Sequence, residues 1–79
     1  MSSVYASVVD VLATRFRIPG EKVTPGSSFE DLGLDSLAQI EFASALEKRL
    51  GVEITDEELM DMSDVADVVA KIEEKSVTA

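Results

Sequence analysis

From Tyr5 onward the apolar residues Tyr5, Val8, Val9, Leu12 and Phe16 recur at steps of three and four, the spacing of one face of an α-helix. Ser2 or Ser3 is available to cap its start. The helix should end near Arg17, because Pro19 disfavours helical angles at Ile18 and Gly20 follows at once. Between Ile18 and Asp35 stand both prolines and three of the four glycines, with no long periodic pattern. A loop of that length in so short a chain is expected to be packed or functional. Phe29, Leu32 and Leu34 give it residues to pack, and Ser27 with Glu30 three places on has the form of a cap for a short helical turn.

A second helix is predicted from Ser36 to Leu50, with Asp35 as N-cap, Gly51 as its stop, and Lys48 and Arg49 placed well against the helix dipole. Thr55 and Glu58 form a capping box that opens a short third helix through Leu59 and Met62, with Ile54 stapling it to the core. Ser63 is the expected cap of a fourth helix, whose Val65, Val68, Val69 and Ile72 make one stripe opposite Asp64, Asp67, Lys71 and Glu74. Residues 1–3 and 76–79 have little to bury and are expected to fray. The fold class is all-α: a single domain over 1–79, a four-helix bundle with three main helices, one short third helix and a long first loop.

Composition narrows the function. At 79 residues there is room for one small core, and 46% hydrophobic with 29% charged residues describes neither a disordered tail nor a membrane span. Sixteen acids against seven bases leave a net charge of -9, so nucleic acid is repelled and basic protein surfaces are attracted. The chain has no Cys, His or Trp, which removes thiolate and imidazole nucleophiles and the usual zinc ligands; an enzyme is not expected. Asp56, Glu57, Glu58, Asp61 and Asp64 lack the glycine and alternating oxygens of a calcium loop and read as solvated faces and helix starts. Met60 and Met62 read as core fillers, Met62 above all. The start has no basic segment followed by an apolar run, so cytoplasmic residence is the expectation, and a monomer is expected; Met1 points to a free-standing protein, with an excised module as the open alternative.

The second helix carries two faces. Phe42, Ala43, Leu46 and Leu50, with Gln39 near the centre, fall on one side; Leu37 and Ile40 fall on the other, among Glu41, Ser44, Glu47 and Lys48. The apolar pair either packs on the third helix or the loop, or forms a docking centre with a charged border. At the helix head stands Leu32-Gly33-Leu34-Asp35-Ser36-Leu37. As an isolated motif, Asp35-Ser36-Leu37 is an N-cap and first turn. Ser36 has no base to make it a nucleophile, but a phosphodiester on its hydroxyl would sit at the positive end of the helix dipole.

The stretch Phe29-Glu30-Asp31-Leu32-Gly33-Leu34-Asp35-Ser36-Leu37 resembles the attachment-site signature of acyl carrier proteins. The resemblance continues through Ile40-Glu41, Ala45-Leu46-Glu47, Gly51-Val52-Glu53-Ile54 and Asp56-Glu57-Glu58. It implies a carrier on which a phosphopantetheinyl transferase places 4′-phosphopantetheine from coenzyme A at Ser36, the arm's thiol then holding acyl groups as thioesters. It further implies that Asp35 belongs to the surface read by the transferase and its magnesium. Leu37, Ile40, Glu41, Ser44, Glu47, Glu57 and Asp61 would face partner enzymes, among them acyltransferase and ketosynthase with basic docking surfaces. Two features depart from fatty-acid carriers: Lys48-Arg49 stands where further acids are common, and Ser44 replaces an apolar residue. Both tilt the expectation toward a polyketide pathway. The alternatives are a peptidyl or aminoacyl carrier, which Gly33-Leu34-Asp35-Ser36 fits less well, and an unmodified acidic interaction module. A carrier must release its cargo, so the third helix is expected to open at modest cost.

Overall fold

The computed structural model describes residues 3–77. Helix α1 spans Ser3–Arg15, α2 Ser36–Leu50, α3 Asp56–Asp61 and α4 Val65–Val77, with a single 3-10 turn at Gly20–Lys22 in the long first connection. Helix α1 packs against both α2 and α4, and α3 leans on α2. Among the described residues the only extended pairing is an isolated bridge between Ser28 and Asp64.

The core is assembled from α1, the long loop, α2, α4 and the residues flanking α3: Val8, Val11 and Leu12 of α1, Val23, Phe29 and Leu34 of the loop, Phe42, Ala43 and Leu46 of α2, Ile54 and Met62 on either side of α3, and Val65, Val68 and Ile72 of α4. Around Phe42 the aromatic rings meet edge to face, Phe16 at 6.0 Å and Phe29 at 6.2 Å between centroids, the geometry that aromatic quadrupoles prefer. Periodicity placed Tyr5, Val9 and Phe16 on the inner face of α1; they are half-buried at its edge, and Val11 joins the centre.

Several sequence expectations are corrected at element ends. Helix α1 stops at Arg15, and the carbonyl of Leu12 then accepts the N–H groups of both Phe16 and Ile18. That reversal puts Arg17 at φ 57°, a left-handed conformation where glycine would be expected. Ser3 lies inside α1, and Ser2 lies outside the described residues. The cap of α4 is Asp64, one residue beyond Ser63: its Oδ1 accepts from the Asp67 N–H at 2.9 Å. Ser63 does a neighbouring job, donating both its N–H and its hydroxyl to Asp67 Oδ2 at 3.0 Å. Of the tail expected to fray, Ser76 and Val77 continue α4, and Thr78 and Ala79 lie outside the described residues.

The long loop is packed because it finishes α4. The carbonyl of Ser27 accepts from the Val65 N–H at 3.0 Å and that of Pro25 from the Ala66 N–H at 2.8 Å, so two of the orphan donors of a helix start are satisfied from a distant segment. Ser27, buried, is itself held by Thr24, whose N–H donates to its hydroxyl at 3.0 Å.

Candidate functional site

Ser36 is the first residue of α2 and is exposed. Two local devices hold it there. The first is a one-turn segment, Ser28 to Gly33, capped at both ends. Ser28 donates its N–H to Asp31 Oδ2 at 3.2 Å and accepts the Asp31 N–H at 2.9 Å, so the cap predicted at Ser27 and Glu30 forms one residue later. At the far end the Gly33 N–H reaches Glu30 O at 3.0 Å and the Leu34 N–H reaches Phe29 O at 2.9 Å, a Schellman closure whose two flanking apolar residues are buried. Gly33 stands at φ 76°, and a Cβ there would meet no atom within 4 Å; the backbone angle, not crowding, calls for glycine.

The second device is the cap of α2. Asp35 Oδ1 accepts the Ala38 N–H at 2.8 Å, as the sequence predicted, and Gly51 closes the other end at φ 67° with its N–H on Glu47 O. Gln39 sits half-buried on the inner side and donates its amide to Leu34 O at 3.3 Å, fastening the loop to the helix. This satisfies a polar group near the core and was not legible from spacing. The first-turn N–H groups of Ser36 and Leu37 have no intrahelical acceptor, so the mouth of α2 keeps donors for an anion on the Ser36 hydroxyl. An exposed hydroxyl, open donors and the dipole's positive end suit a phosphodiester tether.

Along the outer stripe of α2, Leu37 is 66% and Ile40 54% exposed, so neither packs on α3 or the loop. Glu41 is exposed beside them and Ser44 is half-buried; Glu57 and Asp61 of α3 are exposed. Glu47 has a task inside the molecule: its carboxylate accepts the Ile54 N–H at 2.9 Å and pins the turn after α2. Met62 is buried as expected, but Met60 is 85% exposed, because residues two apart on a helical turn point to nearly opposite sides and the turn that buries Met62 sends Met60 outward.

The acidic cluster separates into individual roles. Glu58 completes the predicted capping box with Thr55 and also receives Lys75 Nζ from α4, at 2.9 Å to Oε1 and 2.8 Å to Oε2. The Lys75 hydrogen bond, helped by the Thr55 N–H, holds the Glu58 carboxyl at about 2, below the usual 4.5. Asp67 is lowered by the Ser63 N–H and then its hydroxyl. Among the described residues no group of three or more carboxylates is arranged to hold a metal ion, and no helix is long and apolar enough to cross a membrane.

An exposed serine, a glycine-closed turn and a capped helix together make up the candidate site. The family pattern described as a phosphopantetheine attachment site matches residues 6–72. The chain is 41% identical over 75 residues to an acyl carrier protein of Thermosynechococcus vestitus, covering 94% of this chain and 93% of that one. It is 37% identical over 76 residues to an acyl carrier protein of Helicobacter pylori, covering 95% and 97%. The crystal structure of an acyl carrier protein from Thermotoga maritima shares the fold with a TM-score of 0.86, at 24% identity and covering 96% of this chain and 89% of that one. The chain belongs to the acyl carrier protein family. It is a carrier and not an enzyme, and the cofactor of its family is covalently attached 4′-phosphopantetheine.

Proposed function

We propose that Ser36 receives the phosphopantetheine arm and that the protein presents acyl thioesters to synthase enzymes. The observation that carries this reading is the exposed Ser36 hydroxyl at the first position of a capped helix, directly behind the glycine-closed turn. In the attachment step Ser36 Oγ forms an O–P bond to the pantetheine-side phosphate of coenzyme A. The pyrophosphate bond breaks, and adenosine 3′,5′-bisphosphate leaves. The hydroxyl proton goes to a base on the transferase, since this chain has no His or Cys to take it. When bound, the arm supplies the thiol that the chain lacks.

The surrounding residues divide the remaining work. Asp35 Oδ1 is committed to the Ala38 N–H, which leaves Oδ2 toward the transferase and its magnesium. Leu37 and Ile40 form the desolvating centre for partner enzymes such as acyltransferase and ketosynthase, and Glu41, Glu57 and Asp61 attract their basic surfaces. Ser44 and Glu47 border that face, Glu47 through one carboxylate oxygen only, the other holding Ile54. A polar Ser44 and the exposed pair Lys48 and Arg49 favour a polyketide pathway over a general fatty-acid one. We assign the protein to the cytoplasm as a monomer.

Incubating the protein with coenzyme A and a promiscuous phosphopantetheinyl transferase, then weighing it intact, tests the assignment. The wild type is expected to gain one phosphopantetheine unit and Ser36→Ala none. No gain on the wild type, or an equal gain on the variant, overturns it.

A further inference from the structure

Four of the seven basic residues lie in two short segments, Arg15 with Arg17 and Lys48 with Arg49, although the chain as a whole carries a net charge of -9. The fold brings these segments together where the end of α1 meets the second half of α2. Arg49 is used there in an ion pair with Asp10 that ties the two helices. Arg15 and Lys48 stay exposed at the rim of an open groove of about 440 Å³, with Phe16, Ile40 and Ala45 among its lining residues and Glu41 as its one acid. The volume suits one or two large apolar side chains.

We infer that this groove is a second docking site, for an acidic protein segment that places an apolar side chain between α1 and α2 and its carboxylates on Arg15 and Lys48. Charge complementarity selects the partner. A polyanion such as nucleic acid is repelled by the rest of the molecule, whereas a short acidic segment meets the local positive rim before it meets the wider negative field. The apolar lining gives an inorganic anion little to bind, since the two cationic groups stand at an open edge and do not converge in a closed cavity. Ile40, Glu41 and Ser44 line the groove and also belong to the outer stripe of α2 that starts beside Ser36, so that one stripe changes sign along its length, from acidic at Glu41 to basic at Lys48. Lys48 is twelve positions from Ser36, about 18 Å along the axis. Neither Arg15 nor Lys48 belongs to the attachment machinery, and the inference stands whether or not Ser36 is modified.

The test is an amide chemical-shift titration of the isotope-labelled protein with two synthetic helical peptides. One bears leucines at i and i+4 flanked by glutamates, and the other has lysines in place of the glutamates. The acidic peptide is expected to shift Arg15, Phe16, Ala45 and Lys48 saturably, with affinity that falls as salt rises. The variant R15E/K48E should bind it about tenfold more weakly while keeping its spectrum outside the groove. The neutral pair Arg15→Gln and Lys48→Gln should fall between them. Absence of saturable shifts, shifts confined to the Ser36 side, or equal affinity in R15E/K48E overturns the inference. So does reproduction of the same shifts by inorganic phosphate alone, which would make the site a simple anion site.

Discussion

Helices α2 and α3 are neighbours in space and opposites in how they are held. Helix α2 has 15 residues, a side-chain cap at its start, a left-handed glycine at its end, and Phe42, Ala43 and Leu46 buried beneath it. Helix α3 has six residues and buries none of them fully. It is kept in place by its capping box, by Ile54 and Met62 buried at either side, and by the Glu58–Lys75 ion pair. A six-residue helix is below the length at which helical hydrogen bonds sustain themselves, so α3 exists because its ends are tied. The lesson is a division of duties: α2 is the fixed platform that aims Ser36, and α3 is the part able to move without dissolving the core.

The strongest way to break this contrast is to empty the core under α2. Phe42 is 1% exposed and its ring meets two others, so Phe42→Ala is expected to cost about 3–5 kcal/mol in denaturant unfolding, and every helix should lose protection together. A smaller and local effect is expected at α3. Thr55→Ala removes the cap hydroxyl that accepts the Glu58 N–H and should cost about 1 kcal/mol. In amide exchange it should speed α3 about fivefold and leave α2 near its wild-type rate. If α3 in the wild type already exchanges as slowly as α2, the division proposed here is wrong.

The smallest effect is the pH dependence of the tie between α3 and α4. Glu58 titrates at about 2 in the folded protein against an ordinary 4.5, so the folded state binds its proton less readily than the unfolded chain. Its stabilising contribution is therefore fully present above about pH 4.5 and disappears as the pH falls toward 2. Unfolding midpoints of wild type and Glu58→Gln measured across that window should converge as the pH falls. A constant separation would place the perturbation elsewhere.

Much of the candidate site was legible in the chain itself. Asp35 as cap, Gly51 as stop, the Thr55–Glu58 box and the separation of Leu37 and Ile40 from the Phe42 side of α2 all depend on residues within one helix or turn, where spacing alone states the geometry. The misses share a different origin. Met60 resembles Met62 in sequence and differs only in which side α3 turns to the core. Glu47 reads as a surface acid until the turn after α2 folds back and presents the Ile54 N–H. The cap at Ser28 was displaced by one residue because Ser27 is drawn inward to Thr24.

By itself the sequence determined the helices, the caps of α2 and α3, the acidic balance and the serine at the mouth of α2, because each is a local property of periodicity, side-chain chemistry or charge. Only the tertiary structure decided that the long loop caps α4 through the carbonyls of Pro25 and Ser27, and that Lys75 reaches Glu58. It alone brought Arg15 beside Lys48 as a positive groove on a negative protein. Those partners lie far apart along the chain, and hydrogen bonds and charges respond to distance in space, which no spacing of residues in a sequence expresses.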